Sequence, residues 1–120
     1  MTNVKPETLN SFKQMWNLHP SPVLLVHKNR DILAVNKAAA EAQVPVGIKC
    51  YDLCKGDNVC AGCKANASLK KNEGIRKLAL SKGTDQFMDG YWIPVEGEED
   101  IYVHFGNDIT EYVKPELLIG

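Results

Sequence analysis

Five short apolar segments, two before residue 36 and three after residue 74, limit the folds open to this chain. They are rich in β-branched and aromatic residues or alternate in twos, which predicts strands. The alternation is cleanest in the last segment, where Ile101, Val103 and Phe105 share one face. Tyr102 and His104 share the other face, so we expect His104 to be exposed or at an interface. The predicted strands are PVLLVH (22–27), DILAV (31–35), IRKLALS (75–81), FMDGYWIPV (87–95) and IYVHF (101–105).

Helical patterns occupy the segments around these strands. Residues 6–18 carry an apolar stripe at helical spacing, and Asn36 is an N-cap residue before an Ala-rich helix. A short helical turn is predicted over 50–54, and a longer helix over 61–72. A last helix can begin at the cap Asp108, although Pro115 limits it. This order predicts an α+β fold, in which a five-stranded antiparallel sheet carries helices on one face and a small-molecule cleft lies beneath them.

The composition excludes several classes of protein. The chain has 120 residues, of which 44% are hydrophobic and 24% are charged, and this favours one folded domain over disorder. Its net charge of −1 argues against nucleic acid or an anionic membrane as a partner. No apolar run approaches the ~20 residues that cross a bilayer. The first ten residues lack the apolar centre of a signal peptide, so we expect a cytoplasmic protein.

All four cysteines of the chain lie within fourteen residues, in the spacing C-x3-C-x5-C-x2-C. They are Cys50, Cys54, Cys60 and Cys63. Four thiolates can bind Zn²⁺ in a closed tetrahedral site or an iron–sulfur cluster, because sulfur is a soft anionic donor. Two of them stand at the start of the predicted helix 61–72, where the helix dipole lowers the pKa of a thiol. The cluster is therefore a candidate metal or redox site.

Two other interpretations of the cysteine cluster stay open. Only five residues separate its halves, which is short for a structural zinc site. The cysteines can instead form one or two disulfides, with three pairings if all four bond, and a redox-sensing disulfide is compatible with the cytosol. They can also pack as small apolar side chains under the helices.

Four stretches of the sequence resemble a PAS domain, the sensor module of bacterial signalling proteins. PSPVLLVHKNRDILAVN (20–36) looks like the opening hairpin of that family, and the small-residue helix after Asn36 fits. Val46-Gly47 resembles the residues before its middle helix, and IPVEGEEDIYVHFGNDITEY (93–112) resembles its last two strands. The resemblance implies an N-terminal helix over 1–20, a PAS sensor domain over 21–113 and the start of a C-terminal linker over 114–120. The chain looks like a PAS subset with Cys-Tyr, a second Cys and Cys-x-x-Cys.

The same resemblance argues against several cofactors. Haem-binding PAS sensors use a His on the helix after the middle loop, but the matching segment AGCKANASLKKN has none. Flavin-binding relatives use a Cys within Asn-Cys-Arg, which is absent here. Covalent haem attachment needs C-x-x-C-H, and residue 64 is Lys. Zinc or an iron–sulfur cluster stays possible, while haem and flavin are disfavoured.

The resemblance also implies a mechanism and partners. A small ligand or cofactor in the cleft changes the conformation of the sheet, and Asp108, Ile109 and Thr110 relay that change to a kinase or regulator outside this chain. The alternative is a redox or metal sensor based on the cysteines. A homodimer through the N-terminal helix is expected by analogy, and no catalytic residue set is found. Candidate cleft residues are Leu53, Leu69, Tyr91, Trp92 and Phe105.

Overall fold

The computed structural model describes residues 2–54, 58–60, 62–81 and 86–118, with the side chain of Cys54 outside the described part. Three helices and five strands follow each other in the predicted order. They are α1 (Pro6–Trp16), β1 (Val23–His27), β2 (Ile32–Val35), α2 (Lys37–Glu41), α3 (Ala65–Lys71), β3 (Ile75–Leu80), β4 (Phe87–Pro94) and β5 (Ile101–Asp108). Short 3₁₀ helices span Cys50–Cys54, Thr110–Tyr112 and Pro115–Leu118. No helix in the described ranges is long and apolar enough to cross a bilayer.

The five strands form one antiparallel sheet in the order β2-β1-β5-β4-β3. The last strand along the chain, β5, lies in the centre, with Val23 opposite Phe105 on one side and Gly90 opposite Gly106 on the other. This confirms the predicted α+β class and the five-stranded antiparallel sheet. Because β5 touches both halves of the sheet, a change at either half reaches it directly.

The two faces of the sheet are both covered, by different helices. One face carries Leu24, Val26 and Tyr102, which pack with residues of α2 and α3; we call it the cleft face. The other carries Val23, Leu25 and Val103, which pack with Phe12 of α1; we call it the α1 face. The helices between β2 and β3 thus share one face as expected.

Helix α1, however, departs from the expectation that all helices share one face. Both faces of β1 are apolar and buried, so each needs a cover. The side chain of Phe12 supplies it on the α1 face, and burying such a side chain contributes roughly 1.5–3 kcal/mol. Met15 and Leu18, from the same predicted stripe, stay 75% and 86% exposed.

Asn36 connects three elements. It is fully buried, and its Oδ1 accepts hydrogen bonds from Val23 N–H (2.9 Å) and Ala39 N–H (3.0 Å). The second bond confirms the predicted N-cap of α2. Its Nδ2 donates to the carbonyls of Trp16 (3.1 Å), His19 (3.3 Å) and Ser21 (2.9 Å). One side chain therefore fixes the end of α1 against β1 and α2.

Several element boundaries differ from the sequence expectations. The predicted turn over Cys50–Cys54 is confirmed as a 3₁₀ helix. Helix α3 begins at Ala65 rather than residue 61, and it ends at Asn72, which adopts a left-handed conformation (φ 53°). The last predicted helix is wrong in extent, because β5 continues to Asp108 and only 3₁₀ turns follow. Cys60 and Cys63 therefore precede α3 and do not stand in its first turn, contrary to the sequence prediction.

Candidate functional site

The cleft face of the central strands carries polar aromatic side chains. Trp92 of β4 and His104 of β5 are opposite each other in the register, so both project to this face. Their rings are stacked, with centroids 4.9 Å apart and planes 18° apart. Tyr102 lies two residues before His104 on the same face. On the α1 face, the neighbouring β5 positions are occupied by the apolar residues Ile101 and Val103.

His104 is half-buried, which corrects the expectation that it is exposed. Its Nδ1 lies 2.8 Å from the carbonyl oxygen of Tyr91, an acceptor, so Nδ1 carries the proton and donates. Burial lowers the pKa of the imidazole, which that hydrogen bond partly opposes. The ring is therefore neutral at neutral pH, and its Nε2 is an acceptor.

Tyr102 is 1% exposed, and its hydroxyl has no hydrogen-bond partner among the described residues. Burial raises the pKa of this phenol far above its ordinary value, and the nearby Cys50 raises it further. The hydroxyl thus stays protonated. A buried hydroxyl without a partner is uncommon in folded proteins and calls for a physical reason.

Arg30 is also buried, at 4% exposure, in a left-handed backbone conformation (φ 78°). Its guanidinium carbon lies 6.0 Å from the ring centre of Tyr102. The Nη groups donate to Asn66 Oδ1 (3.3 Å each) and to the Lys28 carbonyl, while Nε has no partner within the described ranges. No motif in the sequence points to Arg30, because its neighbours Lys28 and Asn29 are also polar, and the burial of one polar residue leaves no signal in a single sequence.

The cysteines differ in how exposed they are, and two of them pack near Tyr102. Cys50 and Cys63 are half-buried and pack against the core of the cleft face, whereas Cys60 is exposed. The N–H of Cys63 donates to the carbonyl of Cys60 (3.0 Å), which joins the backbones of these two residues. Across the described positions, no three His, Cys, Asp or Glu side chains are grouped for a metal ion. The side chain of Cys54 lies outside the described part, so the four-cysteine site stays a prediction.

The proposed cleft residues do not share one location. Trp92 is buried in the core of the cleft face, and Leu69 packs against it. Leu53 is 41% exposed. Tyr91 and Phe105 lie on the α1 face, stacked at 5.0 Å, because the strand alternation sends them opposite to Trp92. They therefore cannot share a cleft wall with it, and their location departs from the expectation.

Hydrogen bonds connect the end of β5 to the start of β4. The Asp108 carboxylate accepts from the backbone N–H (3.0 Å) and the hydroxyl (2.5 Å) of Thr110, which lowers the pKa of that carboxyl. The Thr110 hydroxyl oxygen also accepts from Phe87 N–H (2.8 Å), and Ile109 N–H donates to the Phe87 carbonyl (2.9 Å). The three predicted relay residues thus lie together at one junction of two strands.

Neither a protein-family model nor a curated protein sequence matches the chain. Several solved structures do. The PAS domain of Bordetella pertussis BvgS has a TM-score of 0.63 at 17% identity, covering 88% of this chain and 89% of that domain. The PAS domain of nitrogen regulation protein NR(II) from Vibrio parahaemolyticus has a TM-score of 0.59 at 13% identity, covering 80% and 95%. A domain of an HTR-like protein from Haloarcula marismortui has a TM-score of 0.58 at 20% identity, covering 76% and 99%.

These likenesses show the fold alone, because all three identities are low. Two of the three structures are described as PAS domains, and they align over most of their length with this chain. The resemblance drawn from the four sequence stretches is confirmed at the level of fold. The cysteine-containing subset stays a prediction.

Proposed function

Because the chain has the fold of a PAS domain, we propose that it is a sensory module. It binds a small ligand or cofactor against the cleft face and relays the resulting change to an output partner, without catalysis of its own. The observation that carries this proposal is the buried hydroxyl of Tyr102, which has no partner in the described part of the chain.

The Tyr102 hydroxyl, which is unpaired within the described residues, lowers the stability of the ligand-free protein. A buried polar group without a hydrogen bond costs about 1–3 kcal/mol, a sizeable fraction of the total stability of a small domain. Such a cost is reasonable where a bound molecule supplies the missing bond. His104 adds an acceptor nitrogen, Nε2, on the same face, in a ring stacked on Trp92. Hydrogen-bonding groups beside an aromatic surface suit a small, partly polar ligand.

The proposed relay runs along β5. Tyr102 and His104 lie in this strand, and Asp108 ends it. Asp108 is bonded to Thr110, whose hydroxyl accepts from the first residue of β4. A ligand that changes the spacing of β4 and β5 therefore alters the junction from which the chain continues. The change is a population shift, so the ligand must bind one arrangement of the junction better than the other.

Native mass spectrometry of the purified protein tests ligand binding. We expect an excess over the sequence mass that disappears when the protein is unfolded. The Tyr102→Phe variant, which removes only the hydroxyl, should retain less of this excess. If the native mass equals the sequence mass in protein prepared gently from cells, the ligand-binding proposal is wrong.

A second candidate function uses the cysteines as a metal or redox sensor. The hydrogen bond from Cys63 N–H to the Cys60 carbonyl favours it, because a disulfide needs two cysteines that lie close together. Zinc or an iron–sulfur cluster also needs Cys50 and Cys54. Metal analysis with an absorption spectrum, on protein purified without oxygen, should give about one ion or cluster per chain. Metal-free protein with all four thiols titrating rejects the metal form of this candidate.

We further propose that the module is cytoplasmic, binds neither nucleic acid nor membrane, and forms a homodimer through α1. Met15 and Leu18 support the dimer, because both are large apolar side chains that stay exposed on one copy. Light scattering during size-exclusion chromatography should report a dimer that Leu18→Lys converts to a monomer. A monomer for the unaltered protein at high concentration refutes it. The output partner, a kinase or regulator, lies outside this chain.

A further inference from the structure

We propose that Arg30 and Tyr102 form a binding site for a small oxyanion, a carboxylate or phosphate group. This inference rests on the proposed ligand-binding function and names the chemical class of the ligand. The two residues are both buried, their side chains are in contact, and each has a hydrogen-bond donor without a partner among the described residues.

The charge on Arg30 is the first argument. The described acceptors of its guanidinium, the side-chain oxygen of Asn66 and the carbonyl of Lys28, are both neutral. The ion pairs in the described part of the chain involve Arg76, Lys5 and Lys49 instead. A buried cation whose described acceptors are all neutral is unfavourable, and an entering anion reduces that cost. A neutral ligand does not.

The direction of the free hydrogen bonds is the second argument. The Nε of Arg30 can only donate, and the Tyr102 hydroxyl keeps its proton because burial raises its pKa. Two unused donors beside a positive charge match the lone pairs of a carboxylate or phosphate, and charge-assisted hydrogen bonds of this kind are the stronger ones. The guanidinium carbon lies 6.0 Å from the ring centre of Tyr102, so the positive charge stands beside the aromatic ring that carries the second donor.

Asn66 offers a way to test the charge argument without altering the buried residues. Its Oδ1 lies 3.3 Å from both Nη atoms of Arg30, and the residue itself is exposed on α3. Asn66→Asp supplies a counter-ion from the protein, in nearly the same shape. We expect this variant to be more stable than the unaltered protein and to bind anions about tenfold more weakly or worse. Asn10→Asp, on the exposed side of α1, adds the same charge elsewhere and should change neither property.

The experiment measures thermal stabilisation by acetate, by inorganic phosphate and by neutral acetamide, all at one ionic strength. We expect acetate or phosphate to raise the melting temperature and acetamide to have no effect; whichever anion binds better identifies the group. Tyr102→Phe should weaken the binding of that anion about tenfold. It should not destabilise the ligand-free protein, because the hydroxyl has no hydrogen bond to lose within the described residues. The other arginine of the chain, Arg76, lies on the α1 face. The Arg76→Gln variant should therefore bind the anions as the unaltered protein does.

Two results overturn the inference. One is that neither anion stabilises the protein, and the other is that Asn66→Asp and Tyr102→Phe bind the anions unchanged. If acetamide stabilises as well as acetate, or if a neutral molecule is retained in the native mass spectrum, the anion inference fails while the proposed function stands. If the native mass spectrum shows nothing retained, the proposed function fails as well.

Discussion

Replacing Asn36 with alanine should destabilise the fold strongly. The change removes the acceptor of two backbone N–H groups, those of Val23 and Ala39, in a position that is fully buried. A buried donor left without its acceptor costs about 1–3 kcal/mol, so the two together cost about 2–6 kcal/mol. Three carbonyls around α1 also lose their donor. The sum is a large part of the 5–15 kcal/mol that typically stabilises a domain of this kind.

Urea unfolding followed by tryptophan fluorescence measures this loss as a shift of the midpoint. Asn36→Ser is the graded control, since a serine hydroxyl still accepts from Ala39 N–H as an N-cap but cannot donate to three carbonyls. The urea midpoint of Asn36→Ser should therefore lie between those of Asn36→Ala and the unaltered protein. Asn10→Ala, on the exposed side of α1, should stay within about 0.5 kcal/mol. An Asn36→Ala midpoint as high as that of Asn10→Ala would refute the connecting role of Asn36.

Three further predictions concern the core and two titrating groups. Phe12→Ala should cost about 3–5 kcal/mol in urea unfolding, whereas Met15→Ala, from the same helix but exposed, should cost about 0.5 kcal/mol or less. Lys49 Nζ lies 2.7 Å from Asp31 Oδ1 and helps to lower the pKa of Asp31 from 3.8 to about 2. The folded protein therefore gains stability above pH 3.8 that it loses as the pH falls towards about 2. Asp31→Asn should abolish this part of the acid dependence of the urea midpoint. Burial lowers the pKa of His104 from its ordinary 6.5, so the unfolded chain binds more protons than the folded chain just below that pH. The stability therefore falls as the pH drops through this range. If the urea midpoint of His104→Gln depends on pH as steeply as that of the unaltered protein, this prediction is wrong.

The sequence predicted the strands well because each strand carries its own periodic signal. β5 alternates in twos, and its neighbours in the sheet, β1 and β4, are rich in apolar or aromatic residues. Asn36 was predicted as a cap because capping is a local property of one side chain and the next three residues. The order of these elements was enough to predict the antiparallel α+β fold, since that order permits few packings.

The candidate site was harder to predict, because it depends on contacts between distant segments. Arg30 comes from the β1–β2 turn, and its partner Asn66 lies 36 residues away. Nothing in the residues around Arg30 distinguishes a buried arginine from a solvated one. Tyr91 and Trp92 are both aromatic cleft candidates in one strand, yet neighbours in a strand face opposite sides of the sheet. The assignment of faces needed the register with β5, which no local pattern contains.

The proposed function requires that a ligand on the cleft face changes the junction at the end of β5. Hydrogen exchange at the backbone amides of Ile109 and Thr110 tests it, because these amides donate to Phe87 and Asp108 across that junction. The protein as purified is compared with the same protein stripped by unfolding and refolding. We expect the exchange rates of both amides, and of amides in β4 and β5, to differ between the two states. Identical exchange at Ile109 and Thr110 in the two states, with a ligand present in only one of them, contradicts it.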